Sequence, residues 1–264
     1  KMSSPPLIKI TDLVISYPHR PRFYRGKTYN QVAVDNISFS IEQGETLAIV
    51  GQSGSGKTSI ALAILDFVKP TAGAIEFAGA KINNLTTREY RQYRARIQPI
   101  FQDCGAALNP QMTVARAIGD GFSDRISKSQ LKIQIIELME RVGLPVGLYL
   151  AYPRQLSGGQ KQRVCLARAL AIGAECLLLD EPFSAQDILH QAQLMALLRK
   201  LKIACNLTYL LISHDLSTVR LLADRIMVMR DGKIVETGNV SEIFQTPKNE
   251  YTRALVLKSG ILSQ

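Results

Sequence analysis

An α/β fold is predicted for this chain of 264 residues by two patterns, each pairing an apolar strand with a helix. In the first, a strand, a glycine-rich loop and an apolar helix run through residues 46–65. In the second, a helix over 161–171 precedes an apolar strand over 175–181 that ends in two acids.

The first pattern begins with Thr46–Val50 (TLAIV), short and wholly apolar after its threonine, as a buried strand must be. Residues 51–58 (GQSGSGKT) follow, and 59–65 (SIALAIL) read as a helix. Glycines let a chain curl without Cβ clashes, and the next helix offers its positive N-terminal end. Backbone N–H groups of Gly54, Ser55, Gly56 and Lys57 can therefore converge on a phosphate, with Gly51 and Ser53 completing the loop. In that arrangement the Lys57 ammonium reaches β- and γ-phosphates and the Thr58 hydroxyl is placed to ligate Mg²⁺. Nucleotide binding is the implication, and a chance glycine turn before Lys-Thr is the alternative.

The second pattern opens at 156–160 (LSGGQ). Ser157 can cap a helix whose Val164, Ala167, Leu170 and Ala171 share one face, while Gly158, Gly159 and Gln160 form its first turn. The two glycines leave the positive end uncovered. In isolation this is a capped helix start. Downstream of a phosphate loop it is also a second anion-receiving end, able to complete the pocket of another subunit. The strand over 175–181 (ECLLLDE) then presents Asp180 and Glu181 at its tip, the way a Mg²⁺-organising aspartate and an adjacent general base are displayed.

Composition bounds the remaining possibilities. A hydrophobic fraction of 46% with 20% charged residues describes an ordinary globular protein, and the mean hydropathy is +0.04. The longest apolar stretches are broken by Arg168, Glu175 or Asp180 before they could cross a bilayer, and residues 1–6 lack the apolar core of a secretory leader. Cys104, Cys165, Cys176 and Cys205 show no C-x-x-C spacing, which predicts reduced thiols rather than a zinc site or a disulfide framework. The net charge of +10 suits nucleic acid, an anionic membrane face or the phosphates of a nucleotide. Its densest runs are 19–27 (HRPRFYRGK), a Pro-containing loop, and 88–96 (REYRQYRAR), helical and readable as a solvated face.

These motifs, in this order, resemble the ATP-binding cassette family over nearly the whole chain. The resemblance implies that Tyr17, otherwise a plain strand tyrosine, stacks on adenine, and that Gln102 touches both Mg²⁺ and the attacking water. It implies that Ser157, Gly158, Gly159 and Gln160 close over the γ-phosphate of ATP held by an opposing subunit. Asp180 would organise Mg²⁺ together with Thr58 and Gln102, Glu181 would be the general base, Asp187 would lie in the dimer-contact loop, and His214 would sense the γ-phosphate. Three residues depart from the family pattern: Phe183, Gln186 and Cys104. The implied fold is a P-loop NTPase, RecA-like core with a mixed sheet, an N-terminal antiparallel β subdomain and an inserted α-helical subdomain. Residues 7–102 and 154–264 would form the core and 103–153 the helical insertion, with a helix over 129–143.

The chain holds one cassette, and the 102–157 interval is too short for the coiled coil of chromosome-organising relatives. A detached transporter subunit is expected. Residues 101–110 (FQDCGAALNP) and 247–255 (PKNEYTRAL) are similar to segments of the peptide and nickel importer class. That likeness implies ATP and Mg²⁺ as ligands; some members of the class hold an iron–sulfur cluster on clustered cysteines, and with no cysteine beyond Cys205 none is expected here. It also implies a second ATPase subunit of different sequence, two transmembrane permease chains and an extracytoplasmic solute-binding protein. The chain would sit peripherally on the cytoplasmic face of the inner membrane, serving uptake of peptide, nickel or metal chelate. The alternative is a soluble nucleic-acid-associated ATPase, motivated by the charge.

Overall fold

A computed structural model of the chain describes residues 5–19, 29–101, 103–122, 127–184 and 187–260. In chain order it holds β1 (Ile8–His19), β2 (Tyr29–Ile41), β3 (Thr46–Val50), α1 (Lys57–Ile64), β4 (Ala72–Phe77), β5 (Ala80–Lys81) and α2 (Thr87–Arg96). Next come β6 (Ile97–Ile100), α3 (Val114–Gly119), α4 (Lys128–Arg141), α5 (Gly158–Ile172), β7 (Cys176–Asp180) and α6 (Ile188–Cys205). The chain closes with β8 (Thr208–Ile212), α7 (Leu216–Leu222), β9 (Arg225–Arg230), β10 (Lys233–Asn239), α8 (Val240–Gln245) and α9 (Glu250–Lys258). These elements fall into two units, Lys1–Tyr93 with Thr208–Gln264, and Arg94–Leu207.

The first unit contains an antiparallel sheet in the order β2-β1-β4-β5. Along β1 the buried side chains are Ile8 and Ile10, then Leu13 and Ile15, a phase change of one residue. A bulge at Asp12 produces it: Asp12 has φ 49, and the pairing register shifts between Ile10 and Leu13. The same unit holds β10-β9-β3-β8, in which β3 runs parallel to β8 and β9 while β10 returns antiparallel to β9. Every residue of β3 and β8 is buried, which is why both read as unbroken apolar runs rather than alternating ones.

In the second unit β6 and β7 pair in parallel, Ile97 opposite Cys176 and Ile100 opposite Leu179. Here α5 packs against α3, α4 and β6. Its burial differs from the sequence expectation. Val164 and Ala167 are buried as predicted, but Leu170 and Ala171 are only half covered, while Gln162, Cys165, Leu166 and Ala169 are buried too. A helix with neighbours on several sides has no single inner face, so a one-stripe pattern underestimates what it buries. It begins at Gly158, directly after the Ser157 cap as expected, whereas α4 ends at Arg141, short of residue 143.

The arginine-rich run at 88–96 is helical in α2, with Arg88 and Arg91 exposed, Tyr93 buried edge-on against Phe77 at 5.2 Å, and Arg96 paired with Glu175 at 2.6 Å. That is the solvated-face arrangement. Past His19, the run at 19–27 lies outside the described residues. Among the described residues no helix is long and apolar enough to cross a membrane, and the four cysteines are free thiols.

Candidate functional site

The glycine-rich loop is held from behind by backbone. Gly51 has φ 153, and a Cβ there would sit 2.3 Å from the Met229 carbonyl oxygen; Gly56 has φ 100, and a Cβ there would sit 2.4 Å from that of Ala33. Only glycine fits either place. The Gly232 amide of the β9–β10 turn donates to the Ser55 carbonyl at 3.2 Å, so the loop also leans on that turn. Lys57 is 8% exposed, and its ammonium donates to the Gly51 carbonyl at 2.7 Å, the Gln52 carbonyl at 2.8 Å and the Ser55 hydroxyl at 3.3 Å. Burial of an ammonium needs such compensation. Helix α1 has Gly56 at its N-cap, so no side chain caps it, and no acidic residue lies in its first turn; nothing in its own sequence offsets its positive end.

Two further predicted residues belong to this unit. Tyr17 on β1 is 36% exposed and its hydroxyl donates to the Ser59 hydroxyl at 3.2 Å, which sets the ring beside the first turn of α1, next to Thr58. Ile49 of β3 pairs in parallel with Ile212 of β8, so the loop after β3 and His214 after β8 leave the sheet at the same, C-terminal end of its strands. His214 is exposed. It is carried on a tight turn in which the Ser213 hydroxyl accepts from the Asp215 amide at 3.0 Å and the Asp215 carboxylate accepts from the Ser217 amide at 2.9 Å, capping α7.

The second unit carries the acids and the LSGGQ segment. Asp180 ends β7 and is half-buried; Glu181 follows with φ 49, left-handed backbone unusual for a residue bearing a Cβ. The turn is pinned by Ser184, whose hydroxyl donates to the Glu181 carbonyl at 2.8 Å, and by Gln162 of α5, whose amide donates to the Pro182 carbonyl at 3.0 Å. Phe183, one of the departures, is 3% exposed and packs into the core, so an aromatic there costs no exposed apolar surface. The Ser157 hydroxyl accepts from the Gln160 amide at 3.3 Å, and the Gln160 side chain accepts from the Ser157 amide at 2.9 Å. This is a reciprocal cap, so Gln160 is turned onto its own helix.

Asp187 caps α6, accepting from the His190 amide at 2.9 Å and meeting His190 Nδ1 at 2.6 Å. These two bonds, the backbone one foremost, hold its carboxyl below the usual aspartate value. A cavity of about 380 Å³ gathers Ser157, Gly158, Gly159 and Asp187 on one wall system with Lys161 and His190. The structure thus brings four of the predicted residues together around one space. Gln102 and Gln186 lie outside the described residues.

Three residues near these sites are absent from the sequence-based set. Lys161 and His190 line the cavity, and α-helical spacing after the capping residues Ser157 and Asp187 is the signal that could have found them. Tyr251, at the start of α9, accepts a hydrogen bond from the Gln52 amide at 3.1 Å. Its only sequence signal was membership in the 247–255 segment.

A family model described as "ABC transporter" matches residues 34–184. The chain is 40% identical over 253 residues to the oligopeptide transport ATP-binding protein AppF of Bacillus subtilis, covering 95% of this chain and 77% of that protein. It is 42% identical over 241 residues to the dipeptide transport ATP-binding protein DppF of Lactococcus lactis, covering 89% and 77%. It is also 40% identical over 256 residues to the ABC transporter ATP-binding protein YejF of Escherichia coli, where it spans 96% of itself but only 48% of that longer protein. Among solved structures, the dimeric post-hydrolysis ATP-binding cassette MJ0796 bound to ADP and Pi matches with a TM-score of 0.75 at 28% identity, covering 88% of this chain and 98% of that one. The fold is shared as well with cbiO1 of Clostridium perfringens, at a TM-score of 0.78, 24% identity and 98% coverage of both chains.

Proposed function

This chain belongs to the ABC transporter family, and on that premise we propose that it is the ATP-hydrolysing subunit of a membrane importer whose cargo is peptide. One observation carries the catalytic part: a loop whose Gly51 and Gly56 leave no space for a Cβ, wrapped around a buried lysine at the uncapped start of α1. The peptide cargo is supported by the relatives with peptide-transport names. Nickel has no such support.

The residues present fit a Mg²⁺-nucleotide. Nothing lies within 4 Å of a Cβ built on Gly54, so the loop's outer edge has room, and the adjoining helix start offers N–H donors without a competing carboxylate. Thr58 would offer a hydroxyl, Asp180 a carboxylate and Gln102 an amide oxygen, all hard donors of the kind Mg²⁺ takes. When bound, Mg²⁺ would neutralise charge on the β- and γ-phosphoryl oxygens.

Lys57, now held by loop carbonyls, would exchange those partners for phosphate oxygens. Tyr17 would hold the adenine face. Glu181 would accept a proton from the attacking water, with Gln102 and His214 keeping that water in line. Ser157, Gly158, Gly159 and Asp187 would serve a nucleotide carried by the other ATPase subunit, so that ATP closes the pair and its hydrolysis releases it. Residues 103–153 would form the helical region that docks on two permease chains fed by a solute-binding protein. The chain would work at the cytoplasmic face of the membrane, and the second ATPase subunit would differ in sequence.

Calorimetry with Mg-ATP tests the cradle. Lys57→Ala should weaken binding by more than tenfold, and equal affinity in variant and parent would remove the loop from the site. Glu181→Gln should leave binding intact and abolish multiple turnover in the assembled transporter; normal turnover in that variant would take the general-base role from Glu181.

A further inference from the structure

We propose that Tyr251 is a positioning residue for the phosphate-binding loop, its hydroxyl fixing the Gly51–Gln52 peptide in the conformation that receives nucleotide. The proposal rests on the nucleotide-binding role given to that loop above. Both polar groups of this peptide are engaged: its N–H donates to the Tyr251 hydroxyl at 3.1 Å, and its carbonyl accepts from Lys57 Nζ at 2.7 Å. Before nucleotide arrives the peptide cannot rotate without losing both bonds, and when Lys57 turns to phosphate the Tyr251 hydroxyl still holds the N–H. Behind it, the Met229 carbonyl fills the place a Gly51 side chain would take.

Tyr251 is itself held on several sides. The Asn249 side chain accepts from the Tyr251 amide at 2.9 Å, starting α9, while the Glu236 carboxylate on β10 accepts from the Lys248 and Asn249 amides at 2.8 and 3.0 Å. The Arg230 guanidinium stands 5.1 Å from the centre of the tyrosine ring, and Arg230 directly follows Met229 on β9. Strand β9 and helix α9 therefore brace one peptide from two directions. Residues 52 and 251 are 199 positions apart, so no local turn requirement accounts for the contact.

A loop already in its binding conformation loses none of its affinity to rearrangement, whereas a loop that samples others binds in proportion to the competent fraction. Removing the hydroxyl alone should let the Gly51–Gln52 peptide sample others. The test uses the full chain as Tyr251→Phe, which keeps the ring and its contact with Arg230. Two quantities are measured: hydrogen exchange of the Gln52 amide without nucleotide, and Mg-ATP affinity by calorimetry. The expected result is faster exchange at Gln52 with unchanged exchange along α9, and an affinity lower by about threefold to tenfold, the worth of one neutral hydrogen bond.

A role confined to anchoring α9 would instead raise exchange along α9 and leave Gln52 and the affinity as they were, overturning the proposal. So would a Gln52 amide that exchanges at the fully exposed rate in the parent chain, a measurement that needs no variant. A parent chain that fails to bind Mg-ATP would overturn the nucleotide role and the proposal together, and the parent titration separates that case from failure of the proposal alone.

Discussion

Gly51 and Gly54 sit three residues apart in one loop, yet they are glycine for different reasons. At Gly51 a methyl group would lie 2.3 Å from the Met229 carbonyl oxygen and 2.9 Å from the Ser55 hydroxyl; at Gly54, with φ 82, it would meet nothing within 4 Å. Gly51→Ala therefore forces backbone apart and should cost about 2 kcal/mol or more, a fall in Tm on the order of 5 °C for a chain of this size. Gly54→Ala carries only the left-handed penalty, about 1 kcal/mol. Thermal melts of the two variants, made without nucleotide, check the order; equal losses would mean that the Met229 carbonyl gives way. The sequence made these positions legible as glycines of a phosphate loop, because spacing between a strand and a helix is a local pattern. It could not separate the two, because Met229 reaches Gly51 only through the pairing of β9 with β3. The resting place of Lys57 was hidden likewise, since a lysine written into such a motif implies its ligand and not the carbonyls that satisfy it beforehand.

Helix α5 shows what an element adds to its residues. Its first turn is closed by the mutual bonds of Ser157 and Gln160, and Ser157 also lines the cavity with Asp187. Ser157→Ala should cost about 1 kcal/mol of stability through the lost cap, measured by denaturant titration, whatever it does to turnover. A loss near zero would mean that the glycines already leave this end frayed. The cap was legible from Ser157 and the two glycines, but not the return bond from Gln160, which the residue's place in a family motif had assigned to nucleotide. Helix α9 is anchored by a carboxylate instead. Burial pushes the Glu236 carboxyl up, yet the hydrogen bonds it accepts from the Lys248 and Asn249 amides stabilise its charged form and it lies below its ordinary 4.5. A depressed folded-state value means that the anchorage is complete above 4.5 and is lost as pH falls through the lower, folded value. Protection factors along α9, the intrinsic exchange rate at each pH divided by the observed one, should accordingly fall on acidification below 4.5. In Glu236→Gln the protection should be low at neutral pH and flat across this range, and a parent chain whose protection is equally flat would exclude Glu236 as the anchor.

Across the whole molecule the four thiols sample different depths of the fold, and their reactivity reports how it opens. Cys205, at the end of α6, is partly exposed, with its sulfur 3.8 Å from the Arg141 guanidinium. Cys104 is 5% exposed but lines the same cavity as Ser157, and the neighbouring Cys165 thiol together with burial holds its own proton on. Cys176 lies within β7 at 0% exposure, and burial pushes its thiol up to about 12. Only the thiolate attacks an alkylating reagent, so exposure and proton affinity act in the same direction here. Native labelling at pH 8, read by peptide mass, should proceed at Cys205 first and Cys104 well behind it, with Cys176 modified only on unfolding. If the cavity receives the partner subunit's nucleotide, ATP added to the assembled transporter carrying Glu181→Gln should slow Cys104 further and leave Cys205 unchanged. Unaltered labelling of Cys104 under a nucleotide-closed state would place that nucleotide away from Ser157 and Gly158, and would leave the capped start of α5 as a purely structural helix end.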